Sequence, residues 1–104
     1  MEKLNLMDKM DNIMVDNLLT AGGNVAQEQI VVTVGNLRKF ISYDTDIAYY
    51  NIDTEQLDVT GDWEYSNTTM KYFKQFMEDY TMHDYVSAKN FRQELKDNEK
   101  IRLV

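Results

Sequence analysis

The first twenty positions of the chain carry apolar residues at three- and four-residue steps, as at Met10, Met14 and Leu18, with acidic residues between them. This spacing is typical of an amphipathic helix, so we predict a helix over residues 2–19. Gly22-Gly23 follows it and is expected to end it, because glycine readily adopts the left-handed conformation that terminates helices. We interpret the methionine-lined face as ordinary core, since Met mostly fills gaps between other side chains.

The pattern then changes to short runs rich in β-branched and aromatic residues, which favour strands. Turn signals separate the runs, at Gly35-Asn36 and at Thr60-Gly61-Asp62. Together they predict a small antiparallel meander. Its predicted strands are residues 29–34, 38–43 and 47–52, with a shorter fourth at 56–59.

Helical spacing returns after Ser66, a predicted N-cap. Met70, Phe73 and Tyr80 line the first helix, and a capping-box-like sequence from Thr81 to Asp84 is expected to begin a second one. Residues 101–104 are compatible with a terminal edge strand. The predicted fold class is α+β, with an antiparallel sheet of three to four strands packed against an N-terminal helix and two C-terminal helices.

Length and composition indicate one domain, residues 1–104, that folds without disulfides because the chain has no Cys. The N-terminus lacks the pattern of a signal peptide, and no stretch approaches the ~20 apolar residues of a membrane span. We therefore expect a cytoplasmic protein.

Charge is distributed very unevenly along the chain. The formal net charge is −7, yet residues 40–70 contain seven acidic residues and no Lys or Arg, while the rest of the chain has eleven acidic and eleven basic residues. The field of this acidic segment would repel phosphate backbones and anionic lipid and attract basic surfaces. Direct binding of nucleic acid or of a membrane is therefore disfavoured.

Candidate catalytic and metal-binding motifs are weak. Asp44-Thr45-Asp46 begins like a calcium loop, but Ala48 and Tyr49 stand where an EF-hand needs an oxygen ligand and a glycine. His83 is the only histidine, so a zinc site or a Ser-His pair lacks partners. We expect no enzyme activity, no cofactor and no metal.

The most distinctive local sequence runs from Trp63 to Phe76 and contains a hydroxyl-rich helix start. Trp63, the only tryptophan, is expected to anchor that start against the sheet. Ser66, Thr68 and Thr69 can satisfy the free N–H groups of the first helical turn. We interpret this motif as structural.

Two stretches of the chain carry a resemblance to known proteins. The first is residues 40–48, with Ser42-Tyr43 followed by Ile47-Ala48, and the second is the W-x-Y-S-x-T-T-x-K-Y-x-x-x-F run of residues 63–76. Together they resemble a family of small uncharacterised proteins of phages and mobile elements of Gram-positive bacteria. The resemblance covers roughly residues 30–80, and its second half is the more specific. The family brings no established activity. It implies a phage or plasmid accessory protein that acts inside a bacterium.

In that context, an acidic chain without catalytic motifs is expected to inhibit a host defence nuclease, as anti-CRISPR proteins do, by imitating nucleic acid. The expected partner is a host protein with a basic nucleic-acid-binding surface, with a CRISPR effector such as Cas9 as the best candidate. The acids are interleaved with aromatic residues of the kind found at many protein interfaces, Tyr43, Tyr49, Tyr50, Trp63 and Tyr65. The predicted partner-binding residues are Asp44, Asp46, Tyr49, Tyr50, Asp53, Glu55, Asp58, Asp62 and Glu64.

Two other interpretations stay open. The acidic segment can be a solvated face that only keeps the protein soluble. Alternatively, the chain is a structural or regulatory interaction module, with a homodimer formed through the Met-lined first helix as one version of it.

Overall fold

Six strands form one mixed sheet in a computed structural model that describes residues 13–104. The strands lie side by side in chain order, β1 to β5 are antiparallel to their neighbours, and β6 is parallel to β5. The elements are β1 (Ile13–Leu19), β2 (Val25–Val34), β3 (Leu37–Ser42), β4 (Thr45–Asn51), β5 (Leu57–Val59), a 3-10 helix (Gly61–Glu64), α1 (Asn67–Tyr80), α2 (Ala88–Asp97) and β6 (Ile101–Leu103).

The predicted N-terminal helix is wrong over residues 13–19, which form β1 and pair with β2. Residues 2–12 of that prediction lie outside the described residues. Met14 and Leu18 are four residues apart, and such residues share a face in a helix and in a strand alike, so the spacing could not separate the two. The homodimer interpretation relied on this helix, which is replaced by β1 over residues 13–19.

The predicted strand number is also wrong, since the sheet has six strands and not three to four. Strands β2 to β5 overlap the four predicted runs, and β6 confirms the terminal edge strand expected within residues 101–104. The unexpected strand is β1, which forms the other edge. Because β6 follows the helices and returns beside β5 in the same direction, the sheet is mixed and not purely antiparallel.

Each α-helix begins directly after a serine whose side chain caps it. Ser66 caps α1 by accepting the Thr69 N–H at 3.1 Å, as predicted. The second helix begins later than expected, at Ala88, where Ser87 accepts the Asn90 N–H. Thr81 instead closes the end of α1, because its hydroxyl donates to the Met77 carbonyl oxygen at 2.7 Å.

Both helices pack on one side of the sheet, which we call the covered face. Phe40 in β3 stacks on Phe76 and Phe73 of α1, with ring centroids 5.5 and 6.5 Å apart. Trp63 is 2% exposed, and its ring centroid lies 4.9 Å from that of Phe91 in α2. This contact joins the second helix to the same cluster. The expected burial of Trp63 in the core is confirmed, and its aromatic contacts are with the two helices.

The opposite side of the sheet, the open face, is not covered by any element among residues 13–104. Residues paired across antiparallel strands point to the same side, so the register defines this face. It is formed by Ile13, Val15 and Asn17 of β1, Ile30, Val32 and Val34 of β2, Leu37, Lys39 and Ile41 of β3, Asp46, Tyr49 and Asn51 of β4, Asp58 of β5 and Arg102 of β6.

Replacing Trp63 by Ala should lower the free energy of unfolding by about 3–5 kcal/mol, because the substitution leaves a large cavity between the helices. Tyr65→Ala is the matched control, since Tyr65 lies two residues away but is 78% exposed, and it should cost less than about 1 kcal/mol. Urea melts of the two variants measure the difference. Equal losses would contradict the assignment of Trp63 to the core.

Gln29 is 1% exposed, and both polar atoms of its side chain lack a hydrogen-bond partner among the described residues. Gln29→Met should therefore raise the free energy of unfolding by about 1 kcal/mol, since it removes an unsatisfied buried amide at similar volume. Gln75→Met should do the opposite, because the Gln75 amide bonds both the N–H and the carbonyl of Leu19, at 2.9 and 2.8 Å. A destabilised Gln29 variant would show that its amide is satisfied in solution.

Candidate partner-binding groove

The nine predicted partner-binding residues lie in five places and not on one surface. Asp46, Tyr49 and Asp58 belong to the open face, and Tyr50 is in the core. Asp44 and Asp62 lie near the β3–β4 turn, Asp53 and Glu55 lie in the β4–β5 loop, and Glu64 ends the 3-10 helix.

Three of the seven acidic residues form ion pairs with bases from outside the acidic segment. Asp46 lies 3.6 Å from the Lys39 ammonium. Asp58 accepts two hydrogen bonds from Arg102, at 3.0 and 3.1 Å, and Glu64 accepts two from Arg92, at 2.8 and 3.1 Å. The charge of the segment is therefore partly neutralised in space, although no base interrupts it in sequence.

Asp44, Asp53, Glu55 and Asp62 form no ion pair within residues 13–104. Asp53 accepts a hydrogen bond from the Asn36 amide at 3.0 Å, which fixes the β4–β5 loop against the β2–β3 turn. The pairs Asp44/Asp62 and Asp53/Glu55 lie toward opposite ends of β4. A seven-residue strand is about 20 Å long, so the two pairs cannot act as one compact charge cluster.

The two predicted tyrosines have structural roles. Tyr50 is 1% exposed and its hydroxyl accepts the Met82 N–H at 3.1 Å, which fixes the segment after α1. Tyr49 is half-buried on the open face and donates its hydroxyl proton to Asp46 at 2.7 Å. That hydrogen bond, followed by partial burial and the Asp46 charge, raises the pKa of Tyr49 above its ordinary value.

A groove of about 200 Å³ opens beside the β3–β4 turn, between the sheet and the start of α1. We call it the tyrosine groove, because Tyr43 and Tyr65 line it and are 46% and 78% exposed. At its base the hydroxyls of Ser42 and Thr69 are hydrogen-bonded to each other at 3.1 Å. Its lining residues are Ser42, Tyr43, Thr45, Ile47, Asp62, Tyr65 and Thr69.

The β3–β4 turn beside this groove is strained. Ser42 pairs with Thr45, so Tyr43 and Asp44 are the two central residues of a tight hairpin, and both have positive φ, at 50° and 64°. Such turns favour Asn-Gly, because most side chains meet steric hindrance in the left-handed region. A bulky, exposed tyrosine at the first position costs stability and fills no part of the core. The hairpin itself requires positive φ at both positions, so the unusual feature is the choice of tyrosine, which raises the hypothesis of a role outside the fold.

The W-x-Y-S-x-T-T motif divides between structure and surface. Trp63 is buried in the aromatic cluster and Ser66 caps α1, as expected. Thr69 is also structural, but its buried hydroxyl bonds the hydroxyls of Ser42 and Ser66 rather than an N–H group of the first turn. Tyr65 differs, since its ring is the most exposed large apolar side chain of the described residues. The nine predicted partner-binding residues did not include Tyr43 and Tyr65. The sequence pattern placed Tyr43 at the end of a predicted strand, 38–43, so its position in a tight turn became visible only in the structure.

A second, broader depression lies between the segment after α1 and helix α2. It contains His83, Asp84 and Glu94 among its lining residues, and the His83 ring nitrogen is 2.7 Å from the Glu55 carbonyl oxygen. Within residues 13–104, no three His, Cys, Asp or Glu side chains cluster as metal ligands would. Neither α1 nor α2, the α-helices of the described part, is long and apolar enough to cross a membrane.

A family model described as a family of unknown function, DUF8033, matches residues 4–94. The match spans β1 to β5, α1 and most of α2, and so includes the tyrosine groove and all of the open face except Arg102 of β6. Comparison with curated proteins and with solved structures finds no match.

Replacing Tyr43 by Asn together with Asp44 by Gly should raise the free energy of unfolding by about 1 kcal/mol. The pair Asn-Gly adopts the left-handed conformation at lower cost, and this gain exceeds the entropic cost of the added glycine. Urea or thermal melts measure the change. A loss of stability would show that the Tyr43 ring contributes to packing, and would remove the reason to assign this turn to binding.

Proposed function

The chain belongs to the DUF8033 family, and we propose that it is a non-enzymatic inhibitor that binds a basic surface of a partner protein through the tyrosine groove and its flanking carboxylates. The single observation behind this proposal is the strained, exposed Tyr43-Asp44 turn beside a groove that also carries Tyr65 and Asp62. The fold gains nothing evident from these side chains, so a partner is the best reason for them.

The chemistry of the groove suits a cationic side chain. Tyrosine rings attract Arg and Lys through cation–π contacts, and a carboxylate accepts two parallel hydrogen bonds from a guanidinium group. Asp62 lines the groove and Asp44 belongs to the adjoining turn, so an arginine of a partner would meet aromatic and anionic groups together. Tyr and Arg are also the residues on which binding energy at interfaces most often concentrates.

The net charge of −7 supports a basic partner at longer range, because it accelerates encounter with positive surfaces. The resemblance to proteins of phages and mobile elements suggests where this occurs: in the cytoplasm of a bacterial host. There, a defence nuclease, such as a CRISPR effector, offers a basic channel for nucleic acid. Occupation of that channel would inhibit the nuclease.

The distribution of the carboxylates refines how such inhibition would work. Since Asp46, Asp58 and Glu64 are paired with bases, a continuous imitation of a phosphate backbone along the acidic segment is not supported. Local docking of the groove on one or two basic side chains, assisted by the overall charge, fits the geometry better. The acidic residues of the β4–β5 loop then contribute mainly through that overall charge.

The test compares two double charge reversals in the full chain. Asp44→Lys with Asp62→Lys alters the groove, whereas Asp53→Lys with Glu55→Lys alters the opposite end of β4. Each pair changes the net charge by four, from −7 to −3, so any difference between them reports position and not total charge. Purified CRISPR nucleases, with and without guide RNA, and bacterial lysate supply the partners for capture on the immobilised chain.

We expect the groove reversal to weaken capture at least tenfold and the loop reversal to weaken it only a few-fold, since a charge at a contact is worth more than a remote one. Tyr65→Ala should also weaken capture without lowering stability. Capture should fall as salt rises, because exposed charges are screened. Equal losses from the two reversals would contradict a role for the groove, and binding that neither reversal changes would contradict acidic docking altogether.

A further inference from the structure

The open face combines an apolar half with a polar half. On β1 to β3 its side chains are almost all aliphatic, whereas β4 to β6 supply Tyr49, Asn51 and two ion pairs. Val15 is 58% exposed, Ile13 46%, and Leu37 41%, on neighbouring rows of the sheet. A contiguous apolar surface of this kind is a candidate interaction site.

The charges of the open face cancel. Lys39 pairs with Asp46, and Arg102 pairs with Asp58, so the two basic and two acidic side chains of this face leave no net charge on it. The chain as a whole carries −7. The open face is therefore a neutral area on a strongly acidic molecule, and its character is opposite to that of the tyrosine groove.

We propose that the open face binds a second copy of this chain, sheet against sheet, around a two-fold axis through the apolar half. A basic partner would gain little from a neutral face, whereas two copies of an acidic protein can approach most favourably where neither presents net charge. A two-fold interface places the same patch on both copies, so the aliphatic rows of β1, β2 and β3 would cover their own equivalents. This inference does not depend on the proposed function.

The size of the apolar half predicts a dissociable dimer. Three strands about 4.8 Å apart and about 20 Å long give a patch on the order of 300 Å² per copy in projection. Interfaces of this size fall toward the small, transient class, even when the polar half contributes at its rim. We therefore expect a weak dimer that exchanges with the monomer.

Salt should act on this dimer in the opposite direction from its effect on a basic partner. Each copy carries −7, so the copies repel one another at long range, and screening that repulsion should strengthen the dimer. The apolar contact itself is not weakened by salt. Opposite salt responses of self-association and of partner capture would thus separate the two surfaces in one preparation.

Sedimentation equilibrium of the full chain tests the proposal over a hundredfold concentration range that reaches about 500 µM. Val15→Lys should weaken the dimer at least tenfold, because it introduces an ammonium group into the apolar contact. Val86→Lys is the matched control: it makes the same change of charge at an apolar residue that is 71% exposed but lies outside the sheet. Thermal melts should show both variants folded.

Three results would overturn the proposal. The first is a monomer throughout this range, in low and in high salt. The second is self-association that appears only when Met7→Lys and Met10→Lys are introduced together, which would mean that the N-terminal residues cover the open face. The third is a monomeric chain that loses capture of another protein through Val15→Lys, which would assign the face to that protein.

Discussion

The packing of α1 on the centre of the sheet is the contact on which the other features of this structure depend. Phe40 stacks on Phe73 and Phe76, and the ring centroids of Phe73 and Phe91 are 5.0 Å apart. One aromatic cluster therefore joins β3 to both helices. Aromatic side chains bury large areas and favour offset and edge-to-face contacts, which makes such a cluster both strong and geometrically specific. Because both helices are held on the same face, residues 13–104 leave the opposite face without a covering element.

The same cluster positions the tyrosine groove. Trp63 fixes the 3-10 helix against α2, and Ser66 then starts α1 immediately after Tyr65. Tyr65 therefore has both neighbours constrained while its own ring projects from the fold. The β3–β4 turn meets it from the sheet side, where the Ser42–Thr69 hydrogen bond joins the two walls. A rigid framework with a strained, exposed turn is a suitable arrangement for binding, because little ordering is needed when a partner docks.

The order of charged residues along the sequence does not predict how the charges are arranged in the folded chain. A run without bases indicates an uninterrupted negative field, but Lys39, Arg92 and Arg102 come from other parts of the chain and bind three of its carboxylates. What remains is a divided surface, with acidic ends on either side of a neutral sheet face. In the proposed function, many acidic residues contribute to the long-range attraction of a basic partner. Only the few at the tyrosine groove contribute to its local recognition.

By itself the sequence determined the α+β class, the runs that become β2 to β5, the cap at Ser66 and the burial of Trp63, because local spacing and residue type decide these features. It could not determine β1, since Met14 and Leu18 fit a helix and a strand equally well, and the pairing of Ile13 with Val34 selects the strand. It could not place β6 beside β5, or bring Tyr43 and Tyr65 to one groove, because these arrangements join residues far apart in the chain. Which acids stay unpaired was likewise decided only by the tertiary structure, since an ion pair depends on distance in space and not on separation in sequence.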